Sequence, residues 1–442
     1  MVRNPTLKSC LEEVTKKSIS LLSDYFEQYI PKYNGSVYEH TIKNLQLRHS
    51  NLRISDHLFL NLISEKRDLI EDLKSYTEYL STVTNDAVTS RVIGREIGIW
   101  GSPIFHGPFD YVRQILLPLL KNEFENRTFD DNLFSQEYSN IETFLYEDNL
   151  TVTALAPIYN LTSFQDETDL QELTEFESLS MNKINEKHKN LLSGIFGNLS
   201  KSSFLVAQSS YLLELKYKAR KYYFDEDNSA FQRSERDQIS AVYDEIYSII
   251  GALRLIKSAD VGIVMLAYIP EIGNLNRFIS DNIDSIRPHV SARYELQQNE
   301  LSELKEIVRS LKKPKDNNII IAIDRYNTAY EKQRNNDKII DLMIAYEAMF
   351  STKNDTSDSV SHKLALRFSR WMASSIEDRM EKYRTMKDLY TDRSKIVHGS
   401  KSDIESEKIA ICHELMRESL MKYLINSSFE NHPRFIEILD YS

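Results

Sequence analysis

Glycine is scarce in this chain, with 11 residues in 442, and cysteine is nearly absent, with two. So few glycines leave little material for glycine-rich phosphate loops, and no Walker A loop or dinucleotide-binding fingerprint is present. His-Glu-x-x-His and Gly-x-Ser-x-Gly are missing as well, and together these absences argue against nucleotide-dependent motors, zinc hydrolases and dehydrogenases. Gly94, Gly98 and Gly101 follow no strand pattern and read as turn and packing glycines. Cys10 and Cys412 lie at opposite ends of the chain and cannot by themselves build a disulfide framework or a Cys-based zinc site. No metal and no cofactor is expected. No apolar run approaches the roughly 18 residues of a membrane span. The longest, Val261–Ile269, has strand length. The opening Met-Val-Arg-Asn-Pro-Thr-Leu-Lys lacks an apolar signal core, so the expectation is a reduced, soluble, cytoplasmic protein without a membrane partner.

What is there is a globular mixture of 41% hydrophobic and 27% charged residues with a net charge of −11. That charge excludes a protein that coats nucleic acid through a uniformly basic surface, though not a local basic site. Asn317–Ser442 holds 19 basic and 20 acidic residues, so about −10 falls on the first 316 positions.

The expected fold class is mainly α, in three parts. Residues 1–128 read as a helical domain: Phe59, Leu62, Ile63, Ile70, Leu73, Tyr76 and Leu80 recur at helical steps, and Pro108 suits the start of another helix. Asn126–Tyr138 is polar and aperiodic, a linker candidate. Residues 142–312 read as mixed α/β, with strands at Leu150–Ala156, Phe204–Tyr217 and Val261–Ile269 and an amphipathic helix at Ile239–Ile256. Lys312–Asn318 is charged and proline-bearing, a second boundary. Beyond it, residues 317–442 read as a helical domain. Its helices fall at about 319–331, 336–351, 361–373, 377–398 and 404–426, with a polar loop at Asn354–Ser361.

Within Val360–Lys401 the charge reverses. Ten basic residues, including Arg379, Arg384, Lys387, Arg393, Lys395 and Lys401, face five acidic ones. Inside this window runs Asp388-Leu-Tyr-Thr-Asp-Arg393-Ser-Lys-Ile-Val-His398-Gly-Ser400. Arg393 offers a fixed fork of donors suited to phosphate oxygens. His398 supplies an imidazole, the group suited to accepting and returning a proton near neutrality. Together they are what RNA cleavage without a metal needs: a base for the ribose 2′-hydroxyl and a cation for the charge that builds on phosphorus. Five helical steps set the two side chains about 140° apart, so a straight helix brings them together only with a bend near Gly399 or with a second copy of the segment. The same residues also fit a plain helix end, with a dipole-favoured His followed by a Gly stop.

The segment resembles the signature of the HEPN superfamily, and more closely its Apea-like branch, in which a tyrosine precedes Arg-Ser/Asn-Lys-Ile-Val-His-Gly. Lys338–Phe350 is similar to that branch's hydrophobic helix ending in Glu-Ala-Leu/Phe, and His362–Arg367 to the helix that follows. The resemblance covers about residues 317–427 and implies an all-helical bundle that dimerises with its Arg/His pairs facing each other. It implies a metal-independent endoribonuclease of the toxin or anti-phage abortive-infection kind, working as a homodimer or higher even oligomer. Its RNA would be tRNA, mRNA or phage RNA, and a phage-derived trigger or partner protein would control it. Carried over by position, Arg393 becomes the phosphate-stabilising cation and His398 the acid/base. Glu347 would orient one of the two or be a surface carboxylate at the turn. Asp392, Ser394 and Lys395 would contact RNA or remain solvated. Arg325 and Arg367 would line a groove or form ordinary salt bridges. The alternative is a non-catalytic HEPN module that binds nucleic acid or assembles a complex.

Overall fold

The structure is a computed structural model describing residues 2–33, 54–93, 97–99, 102–105, 107–126, 128–163, 165–186, 188, 192, 209–223, 229–271, 279–282, 293–353, 355, 360–399, 403–425 and 431–441. Among the described residues the chain is mainly helical with an antiparallel sheet in its middle, and no helix is long and apolar enough to cross a membrane. Gly94, Gly101, residues 204–208, most of the Asn354–Ser361 loop, Ser400 and Lys401 lie outside the described residues.

The first part holds α1 (Pro5–Tyr33), α2 (Ile54–Glu65), α3 (Arg67–Glu71), α4 (Lys74–Asn85), α5 (Ala87–Ile93) and α6 (Pro108–Asn126). Their periodic apolar positions are what they bury: Leu7, Leu11 and Val14 of α1 pack with Tyr79 and Val83 of α4 and with Val112 and Ile115 of α6. Two features differ from the sequence reading. The 1–128 region also contains a hairpin, β1 (Ile97–Ile99) and β2 (Ser102–Phe105), and β1 pairs with a short strand at Tyr222–Tyr223. Strands of three and four residues are too short to display a period of two, and Gly98 and Pro103 imitate turn residues. The proposed linker 126–138 is largely the start of α7 (Asp131–Tyr146). Its polar first turn conceals the helix, but Asp130 caps it by accepting from the Asn132 and Leu133 N–H groups at 2.9 and 3.0 Å. Phe134, Tyr138 and Ile141 then bury one face.

The strands that follow are β3 (Asn149–Tyr159), β4 (Leu161–Ser163), β5 (Glu167–Asp169), β6 (Ser178–Lys183), β7 (Tyr211–Arg220), β8 (Tyr222–Tyr223), β9 (Gly262–Ile263), β10 (Met265–Pro270), β11 (Ile279–Asn282) and β12 (Tyr294–Leu296). The middle sheet has the order β11-β10-β3-β7-β6-β5, with β9 also on β3, while β4 and β12 pair separately and β8 pairs with β1. Central β3 is apolar on both faces, which explains its near-continuous run. Val152, Ala154, Ala156 and Ile158 join the main core, while Leu155 and Tyr159 face the other way with Leu212, Met265 and Ala267. The expected strand at Phe204–Tyr217 is β7, beginning at Tyr211.

Helix α8 (Ser229–Ile256) packs against β7 and against α9 (Glu300–Lys312). After a turn at 313–316 the chain forms α10 (Asn317–Glu331), α11 (Asn335–Phe350), α12 (Val360–Met372), α13 (Ile376–Val397), α14 (Ser406–Ile425) and α15 (His432–Tyr441). The first five match the sequence reading closely; α15 was not foreseen. The turn is not a gap in packing. Tyr326 Oη donates to the Arg254 carbonyl at 2.8 Å, Arg417 to the Leu255 carbonyl at 2.8 Å and Ser310 to the Leu424 carbonyl at 2.9 Å. The bundle core is aromatic, with Tyr346, Phe350 and Phe435 around Phe368 and Trp371.

Candidate catalytic site

Helix α13 carries Arg393 and ends beside His398. Ser375 caps its start by accepting from the Asp378 N–H at 3.1 Å. Only Met386 and Leu389 are fully buried along it, so most of the helix faces outward. At its far end the His398 N–H donates to the Ser394 carbonyl and the Gly399 N–H to the Ile396 carbonyl, both at 3.0 Å. Gly399 has φ +83°, the left-handed stop. Nothing lies within 4 Å of where a Cβ would sit, so Gly399→Ala is expected to cost about 1–2 kcal/mol through backbone conformation alone, measured by denaturant unfolding.

One chain does not join the pair. The His398 imidazole is exposed and has no hydrogen-bond or ion-pair partner among the described residues. Arg393 turns toward α11, where its Nη2 lies 3.8 Å from Glu347 Oε1, an ion pair too long for a hydrogen bond. Its guanidinium also stands 5.9 Å from the Tyr390 ring centroid. Burial, with Glu347 beside it, raises the Tyr390 phenol above its ordinary pKa. Arg393 Nε is itself buried with no hydrogen-bond partner among the described residues, although the side chain as a whole keeps 25% of its exposure. An unpaired buried donor costs about 1–3 kcal/mol, and this one is closed to solvent. The donors open to a ligand such as a phosphate oxygen are those of the Nη groups, which make no hydrogen bond among the described residues.

The residues around the pair divide. Glu347 meets Arg393 and not His398. Asp392 is occupied structurally: it pairs with Lys408 of α14 and stands 3.5 Å from Lys395 Nζ, tying α13 to α14. Lys395 otherwise projects into solvent. Ser394 contributes its carbonyl to the helix end. Arg325 bonds to Asp341 at 2.9 Å, and Arg367 is buried between Asp355 and Asp440, so both are salt-bridging residues and not groove lining. Tyr390 stands beside both Arg393 and Glu347, and the Tyr-x-x-Arg spacing is the signal that puts it next to Arg393 on the helix surface.

Among the described residues no group of three His, Cys, Asp or Glu side chains could hold a metal ion. A cleft of about 700 Å³ lies elsewhere, along β5, β6 and β7. Its His188 uses both ring nitrogens, Nδ1 accepting from the Asn185 N–H at 3.3 Å and Nε2 facing Glu214 at 3.2 Å, so it holds shape and has no nitrogen free for chemistry. No family model, no curated protein and no solved structure matches the chain.

Proposed function

We propose that the protein is an endoribonuclease that cuts RNA by transesterification, with Arg393 and His398 as its catalytic groups. The observation that carries this reading is an arginine whose guanidinium makes no hydrogen bond among the described residues, on the same helix end as an exposed imidazole without a partner among them. The resemblance of residues 317–427 to Apea-like HEPN domains supports it. His398 takes the proton of a ribose 2′-hydroxyl, and the 2′-oxygen attacks the adjacent phosphorus. The bond from phosphorus to the 5′-oxygen breaks, leaving a 2′,3′-cyclic phosphate, and the 5′-oxygen leaves with a proton returned by an imidazole. Arg393 stabilises the charge on the phosphoryl oxygens as the bonds change. The protein then serves as a toxin or anti-phage effector on tRNA, mRNA or phage RNA, with its acidic first 316 residues repelling bulk RNA and admitting a trigger or a selected substrate.

Purified protein incubated with total RNA in EDTA tests the reading. Cyclic phosphate and 5′-hydroxyl ends are expected; 5′-phosphate ends, or activity abolished by EDTA, would overturn it. A non-catalytic binding or assembly module would produce no new ends.

Because the five-residue spacing sets Arg393 and His398 about 140° apart on a helix, the working form in this reading is a homodimer or higher even oligomer that sets one copy's His398 against the other's Arg393. Light scattering during gel filtration is expected to give at least twice the 51.6 kDa chain mass. A fully active monomer would count against this arrangement.

A further inference from the structure

The outer face of α13 carries more than the pair at its tip. At about 100° per residue Met380, Arg384, Lys387 and Thr391 fall within about 60° of one another, a stripe that leads along the helix to His398. Arg384 is exposed and has no ion-pair or hydrogen-bond partner among the described residues. Lys387 meets only the Ser361 hydroxyl, at 3.1 Å, so its charge is not neutralised. Ser361 belongs to the first turn of α12, which contains no acidic residue, and the positive end of that helix adds to the same field. Beside it the exposed His362 ring stands edge-on to Tyr383 at 5.8 Å, its Nδ1 2.8 Å from the Tyr383 hydroxyl. The exposed carboxylates Glu377, Glu381 and Asp388 lie on the flank of α13 away from α12, adjoining Arg384 at helical steps of seven, three and four and set about 80–120° from Lys387. The field is therefore most positive on the α12 side, at Lys387 and the start of α12.

We infer that this stripe is the track for single-stranded RNA flanking the cut, with Arg384 and Lys387 holding phosphates and the His362–Tyr383 pair offering an aromatic platform for a base. The inference rests on the ribonuclease reading for what happens at His398, but the track binds RNA whether or not the RNA is cut. Arg384 lies 14 residues before His398, about 21 Å along the helix, room for several nucleotides. Charge complementarity favours RNA here over a second copy of this chain, which would bring the same cations against themselves.

The test uses full-length His398→Ala protein, which holds RNA without turning it over, and a labelled single-stranded RNA of roughly 12 nucleotides. Adding Arg384→Glu with Lys387→Glu is expected to weaken binding at least about tenfold, and losing two phosphate contacts lowers the slope of log affinity against log salt by about 1.4. The neutral pair Arg384→Gln with Lys387→Gln should give the same slope change with a smaller loss, which separates charge from misfolding. His362→Ala should weaken binding with the salt slope unchanged, as a stacking contact does. Unchanged affinity and slope in both charge variants would overturn the track, as would a fall in oligomer mass with RNA affinity retained. Wild-type cleavage is scored separately. RNA left uncut by the wild type while the charge variants still lose affinity would remove the nuclease reading and leave the track standing.

Discussion

His398→Ala is expected to lower RNA cleavage by about 10²–10⁴-fold, the usual worth of a positioned acid/base group, while leaving the fold untouched. The structural half of this expectation follows from exposure. The imidazole is exposed and makes no hydrogen bond, ion pair or ring contact with a described residue, and the hydrogen bonds that end α13 come from the backbone of His398 and Gly399. Truncating it removes no packing, so stability should stay within about 0.5 kcal/mol. Arg393→Ala is expected to reduce turnover by about 10²–10³-fold with a smaller change in RNA affinity, because its stabilisation is needed mostly as charge builds in the transition state. Arg393→Lys should recover little: an ammonium cannot present the two-pronged fork toward phosphate. Single-turnover cleavage beside far-UV circular dichroism measures both. Cleavage within a few-fold of wild type in His398→Ala, with a native spectrum, would leave the proposed chemistry without its base. A loss that tracks with unfolding would mean that the helix end, and not the imidazole, was needed.

The C-terminal helices were legible because local signals agree there. Apolar positions repeat at helical spacing through Ile339, Leu342, Met343, Tyr346 and Phe350, and Ser375 and Gly399 punctuate α13 at both ends. Where local signals conflict, the reading slipped. The polar start of α7 looks like a loop because its cap lies one residue outside the helix and its apolar face appears only after the first turn. Helix α15 has ten residues; Phe435, Ile436 and Leu439, with His432 at its start, bury it against the bundle, and Arg367 and Arg370 of α12 bond to its last turn. A helix this short owes its stability to tertiary packing that no window of sequence displays. The site shows the same division. Arg393 and His398 were visible as residue types at a spacing, with a helical rotation of about 140° between them. That Asp392 is consumed by Lys408, and that Arg393 Nε is left without an acceptor among the described residues, are facts of α14 and α11 docking, reached only through the fold.

The largest expected loss of stability comes from Asp355, a residue far from the pair in sequence. Its carboxylate is 1% exposed and accepts from Arg367 Nη1 at 2.6 Å, Lys363 Nζ at 2.8 Å and the Thr352 N–H at 2.8 Å. The Arg367 guanidinium, buried within the bundle, also donates to the Phe350 carbonyl at 3.0 Å and to Asp440 at 2.7 and 3.0 Å. Asp355→Ala takes away the buried counter-charge and leaves only the partly exposed Asp440, so a loss of about 3–5 kcal/mol is expected from denaturant unfolding near neutral pH. Against a whole-domain stability of about 5–15 kcal/mol, that is enough to lower the thermal midpoint visibly. Burial by itself would raise the Asp355 pKa, but the hydrogen bonds from Arg367, Lys363 and Thr352 outweigh it and hold the carboxyl below its ordinary 3.8. A lowered folded-state pKa means that the contribution is complete above about pH 4 and is lost as pH falls toward the folded value. Wild-type stability should therefore drop more steeply below about pH 4 than that of the alanine variant, which has no carboxylate to protonate. The network also ties Asp355 to Lys363 of α12, whose first turn sets Ser361 beside Lys387 and His362 beside Tyr383. Asp355→Asn, which keeps the volume and one acceptor, should fall between alanine and wild type in stability. Equal stability of wild type and Asp355→Ala at neutral pH would show that Asp440 alone satisfies Arg367.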